Sequence, residues 1–148
     1  MTSLVVNRPA DATYLVFASP RWETKPTGWT DLPGANIHLE VGQGTPSYGA
    51  IFVATFSAEV LAEAPDSNGV VTATVFFGDT QSQPSSDNHR FATARGGPEW
   101  SSHTFIRTFR VEPGFNVRDV SAQVKIGGST GVLAGIQNWV LKVERFGI

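Results

Sequence analysis

Along most of this chain the apolar residues recur every second position, the spacing that puts alternate side chains of a β-strand on one core. Ile37, Leu39 and Val41 alternate with Asn36, His38 and Glu40. Val120, Ala122, Val124 and Ile126 alternate with Ser121, Gln123 and Lys125, and Trp139, Leu141 and Val143 alternate with Lys142 and Glu144. Each run reads as a strand with one face in solvent. Residues 51–56 (IFVATF) and 70–77 (VVTATVFF) carry apolar or Thr side chains on both faces and read as central strands. Residues 104–111 (TFIRTFRV) resemble them, but Arg107 shares a face with Phe105 and Phe109, a mixture that suits a rim or a partner-facing position.

Between these runs lie Leu32-Pro33-Gly34, 42–49 (GQGTPSYG), 65–69 (PDSNG), Gly96-Gly97-Pro98, Pro113-Gly114 and 127–131 (GGSTG). Gly supplies positive φ, and Pro ends a ladder, so all six read as turns. About eight strands at this spacing predict an all-β, two-sheet antiparallel sandwich or jelly roll. Residues 57–64 have a helix-compatible pattern but continue a strong strand, so they read as strand followed by loop. Residues 19–28 and 78–101 exceed what a tight hairpin needs and read as long loops, where a rigid scaffold carries variable functional groups.

Composition narrows the function. With 148 residues and 41% hydrophobic content, the chain has core material for one domain, expected to comprise an N-terminal strand and arm over 1–28 and a core sandwich over 29–146. A formal net charge of -2 with scattered basic residues argues against nucleic acid as a partner. The absence of Cys excludes disulfides, thiolate catalysis and Cys-ligated metals. The first ten residues lack the apolar run of a signal peptide, and no stretch approaches the ~20 apolar residues of a membrane span. The expectation is synthesis in the cytoplasm without membrane insertion, with a virion or a non-classical export route as later destinations.

Catalytic signatures are sparse. His38, His89 and His103 lie on separate segments without metal-ligand spacing, so no metal site is expected. There is no G-x-S-x-G elbow for acyl transfer, and Glu40, Glu59, Asp79 and Asp87 could pair for glycoside hydrolysis only through the fold. The Gly-rich runs lack the G-K-[ST] ending of a phosphate loop. No catalytic residue and no cofactor is assigned.

The more informative set is aromatic and polar: Trp22, Trp29, Tyr48, Asp87, His89, Arg90, Trp100 and His103 fall in or beside the expected loops. A ring covers apolar C–H surface while neighbouring polar groups fix orientation, which suits a glycan or a protein ligand. Phe52, Phe56, Phe105, Arg107, Phe109 and Trp139, on strands with surplus apolar surface, are the candidates for an oligomer interface.

From Trp29 to Phe146 the sequence resembles the tumour necrosis factor and complement C1q-like jelly rolls, especially compact bacterial members. The resemblance rests on the approach Trp29-Thr30-Asp31-Leu32-Pro33-Gly34 into a strand over 35–41, the central 52–59 (FVATFSAE), the late strand after Pro113-Gly114 and the closing 137–146 (QNWVLKVERF). It implies a homotrimer packed around aromatic strands, with protein or glycan binding through loops or between subunits. No sugar-binding motif of the family maps onto this chain, so the resemblance carries fold and trimer, not ligand. Three function classes follow. The leading expectation is a non-catalytic recognition module, the second is a structural assembly protein such as a virion fibre head, decoration or appendage protein, and the third is a hydrolase or cupin-like metal enzyme.

Overall fold

The computed structural model describes residues 9–40, 49–64, 69–86, 90–94, 100–113 and 119–147. In chain order the strands are β1 (Ala12–Ala18), β2 (Trp22–Thr24), β3 (Thr30–Glu40), β4 (Ala50–Glu63), β5 (Val70–Phe77), β6 (Thr80–Gln81), β7 (Arg90–Thr93), β8 (Trp100–Val111), β9 (Asp119–Gly128) and β10 (Leu133–Gly147). No helix occurs among the described residues. One sheet runs β1-β10-β4-β8, with β2 following β1 along the same edge of β10. The other runs β3-β9-β5, and β6 and β7 share the remaining edge of β5. Every ladder is antiparallel, and outside β1–β2 and β5–β6–β7 each connection changes sheet. The architecture is thus a two-sheet β-sandwich with jelly-roll connectivity.

The core lies between the sheets. On β4 the inward set is Phe52, Ala54, Phe56, Ala58, Val60 and Ala62, all buried, and it faces Val71, Ala73, Val75 and Phe77 of β5 and Ala122, Val124 and Ile126 of β9. Phe–Ala alternation lets the layers interdigitate. Phe52 stacks on Phe77 at 6.1 Å between centroids, Phe77 on Phe109 at 4.8 Å, and Phe56 lies 5.5–6.3 Å from Phe91, Phe105 and Trp139. Burying each large side chain contributes about 1.5–3 kcal/mol.

Several local expectations change. Residues 57–63 are strand, not strand followed by loop, because β4 is flanked along this stretch by β10 and β8, and the ladder overrides weak helix propensity. Residues 78–101 contain β6, β7 and the start of β8, and residues 19–28 contain β2. Leu32-Pro33-Gly34 is a register shift inside β3, with Gly34 at φ 79°, rather than a turn before it. In β10 the inward sequence Ala134, Ile136, Trp139, Leu141 skips a beat, because a bulge at Gln137–Asn138, with Asn138 at φ 47°, inserts an extra residue against β4.

The interface candidates need correction. Phe52, Phe56 and Phe105 lie in the protomer's own core and so are not exposed to a partner; Trp139, read as core or subunit interface, is core, and Phe109 is partly buried against it. Half-buried Arg107 lies with its guanidinium 4.7 Å from the Phe105 ring and donates from Nη1 to the Ile106 carbonyl at 2.8 Å. Partial burial lowers its pKa from the ordinary arginine value. Period-two spacing groups residues by face, but on strands that are apolar on both sides it does not say which face turns inward.

Candidate functional site

The two sheets turn different surfaces outward. On the β1-β10-β4-β8 sheet, register places Phe17, Val140, Ser57 and Thr104 in one row and Leu15, Lys142, Thr55 and Ile106 in the next. Leu15, Phe17, Val140 and Ile106 are 56%, 69%, 39% and 58% exposed, although each sits on a strand whose opposite face is in the core. Their neighbours are mainly hydroxyl residues, with Thr104 Oγ1 donating to Ser57 Oγ at 3.0 Å and Lys142 paired with Glu144 at 3.7 Å. Leu15 and Phe17 lie in the segment expected to hold an N-terminal strand and arm, and the sequence reading did not single them out. The apolar run Tyr14, Leu15, Val16 and Phe17, which puts apolar side chains on both faces of a strand, was the available signal.

At one end of this sheet Glu23, Gly135, Leu61 and Trp100 form a row across β2, β10, β4 and β8. Trp100 reaches across the row: a Cβ on Gly135 would sit 3.0 Å from its Cη2 and 3.1 Å from Leu61 Cβ. That leaves Leu61 only 1% exposed although it points outward. The Arg21 guanidinium lies 5.0 Å from the Trp100 ring centroid and is ion-paired with Glu23. Nearby, Glu59 accepts from Gln137 Nε2 at 2.8 Å and Asn138 Nδ2 at 3.1 Å, and these bonds to its charged form lower its pKa below the ordinary value.

The β3-β9-β5 sheet has a polar outer face. Gly127, Thr72 and Arg90 are register partners across β9, β5 and β7. Trp29, just before β3, folds over this row and meets Phe76 edge-on at 6.1 Å. A Cβ on Gly127 would lie 2.7 Å from Thr72 Oγ1 and 3.2 Å from Trp29 Cε3, so glycine is what lets the ring close down on the strand. The result is an open cleft of about 430 Å³ lined by Trp29, Thr72, Arg90, Ser129 and the backbone of Gly127 and Gly128. Ser129 and Val70 clamp one end, with Val70 N–H donating to Ser129 Oγ and Ser129 N–H to the Val70 carbonyl, both at 2.9 Å. Beside the cleft, Lys125 pairs with Asp31 at 3.0 Å and lies 5.1 Å from the Phe76 ring.

Of the sequence-stated ligand candidates, the structure therefore unites Trp29 and Arg90 in one cleft and sends Trp22, Trp100 and His103 elsewhere. Trp22 is a partly buried residue of β2 packed on the core, and Trp100 and His103 lie in β8 rather than in a loop. Tyr48, Asp87 and His89 lie outside the described residues. His103 Nε2 is 2.7 Å from Ser101 Oγ, with no described carboxylate bonded to its ring, so the geometry of an oriented nucleophile and base is not assembled there. Among the described residues no cluster of His, Asp and Glu could hold a metal ion, and no helix is long and apolar enough to cross a membrane.

No protein-family model matches the sequence, and no curated protein matches it significantly. Among solved structures, the chain is similar to that of infectious bursal disease virus Gt strain, at 11% identity over 97% of this chain and 36% of that one, with a TM-score of 0.38. It is also similar to that of the Gx strain, at 12% identity over 98% of this chain and 42% of that one, with a TM-score of 0.31. The chain spans about two fifths of the length of either.

Proposed function

We propose that this chain is a non-catalytic recognition module that works as a homotrimer of tumour necrosis factor/C1q-like jelly rolls. Copies pack through the outer face of the β1-β10-β4-β8 sheet, and a glycan or protein ligand is bound on surfaces left free. The observation that carries the reading is the exposure of Leu15, Phe17, Val140 and Ile106 on two adjacent rows of one sheet. Apolar surface held in register by a rigid sheet is costly in water, and covering it with a second copy removes that cost. The surrounding Ser and Thr residues bury at small penalty, and the Lys142–Glu144 pair supplies both signs of charge, so the surface complements another copy of itself. Closed cyclic association keeps such contacts from propagating into fibres.

Light scattering on the purified chain tests this. The expected mass is three times the 15.9 kDa of one copy. Phe17→Glu should shift it to that of one copy while circular dichroism stays that of a β protein. A monomeric wild-type chain would overturn the proposal. The same apolar rows would serve a structural assembly protein of a virion or appendage, and a ligand bound by the isolated chain separates the two readings.

A further inference from the structure

Resting on the recognition reading, we infer that the Trp29–Arg90 cleft on the β3-β9-β5 sheet binds a carboxylated sugar. The cleft is set by backbone register: Arg90 stands opposite Thr72, which stands opposite Gly127, so Arg90 and the ring covering Gly127 are separated by two interstrand spacings, about 10 Å. That gap is lined by Trp29 on one side and Arg90 on the other, with Thr72 between them. An aromatic ring packs against the C–H face of a pyranose, whose hydroxyls need donors and acceptors at the floor. Arg90 makes no ion pair with a described carboxylate, whereas Arg21, Arg110 and Lys125 each do. No described carboxylate holds its fork, and a ligand carboxylate is what a guanidinium grips in two-point fashion.

The cleft volume of about 430 Å³ lies in the range of small-molecule sites, roughly 300–1,000 Å³. Its floor is preformed. Gly127 cannot carry a side chain without striking Thr72 and Trp29, and the Ser129–Val70 clamp holds the neighbouring turn, so binding orders little beyond the Arg90 side chain. It also lies on the sheet opposite the apolar rows, which leaves it open in an assembled oligomer.

Glucuronic acid and N-acetylneuraminic acid, with glucose as the neutral control, are titrated into the ¹⁵N-labelled full chain while amide and indole shifts are followed. Saturable shifts are expected at Gly127, Gly128, Arg90 and the Trp29 indole for at least one acid. Arg90→Gln should weaken that acid about tenfold to a hundredfold while leaving the glucose response unchanged. Trp29→Phe, which keeps a ring against Phe76, should weaken acid and neutral sugar alike. The site is overturned if neither acid shifts these signals at tens of millimolar, or if the acid binds Arg90→Gln as it binds the wild type. Light scattering on the same samples reports assembly separately, so loss of the ligand reading and loss of the trimer reading cannot be confused.

Discussion

The outer faces of the two sheets obey the same alternation yet meet solvent in opposite ways. On the β1-β10-β4-β8 sheet the outward positions include Leu15, Phe17, Val140 and Ile106, a run of exposed apolar side chains bordered by the Lys142–Glu144 pair. On the β3-β9-β5 sheet the corresponding positions include Asn36, His38, Ser121, Gln123, Lys125, Thr72 and Phe76, and Trp29 is folded down over a glycine and edge-on against Phe76. Both faces rest on one core, so the contrast does not follow from burial of the fold itself. A sheet needs only one apolar face to hold a sandwich together. A second one is not needed by the protomer, and it is the surface that the proposed assembly would cover, whereas a mainly polar face is suited to remaining in water.

The largest expected effect removes the layer both faces stand on. Phe56→Ala empties a ring site contacted by Phe91, Phe105 and Trp139 and should cost about 3–5 kcal/mol in urea unfolding, weakening both faces together. A mutation on one face that costs as much would mean that the outer surfaces are not separable from the core. Gly127→Val should be intermediate. It drives a branched side chain into Thr72 and Trp29, costs about 1–3 kcal/mol and closes the cleft, while the oligomeric mass stays as in the wild type. If Gly127→Val dissociates the oligomer, the two faces are coupled and the contrast fails.

The smallest effect is a pH dependence at the rim of the apolar face. Glu59 has its folded pKa lowered by the Gln137 and then the Asn138 side-chain bonds. Its contribution is therefore present above the ordinary value of 4.5 and is lost as pH falls below that value through the folded pKa. Glu59→Gln should flatten the acid limb of the stability profile by a small amount, lowering the thermal melts slightly near neutral pH and leaving those near about pH 3 almost unchanged. A profile that Glu59→Gln leaves untouched would show that the bulge amides do not favour the ionised carboxylate.

Much of the scaffold could be read from residue order. The inward sets Ile37 and Leu39, Ala122, Val124 and Ile126, and Trp139, Leu141 and Val143 are the buried ones, because a half-solvated strand writes its orientation into side-chain polarity. The strand pieces β2, β6 and β7, of 3, 2 and 4 residues, are too short to show a period. They exist because β10 and β5 offer edges to pair with. The end of β4 was likewise ambiguous, since Ala58, Val60 and Ala62 fit either a helix or a strand until β10 and β8 close around them.

The site divides along the same line. Residue types alone singled out Trp29 and Arg90 as ring and cation suited to a ligand, and showed that the chain has no thiol, no metal-ligand spacing and surplus apolar surface. Only the tertiary structure decided that Trp29 and Arg90 flank one cleft, that Trp100 covers Leu61, and that the surplus is displayed by Leu15, Phe17, Val140 and Ile106 rather than by Phe52, Phe56 and Trp139. The reason is physical. Side-chain polarity is a property of each position, whereas which face of a doubly apolar strand turns inward, and which distant strands become neighbours, depends on how the two sheets close over one another.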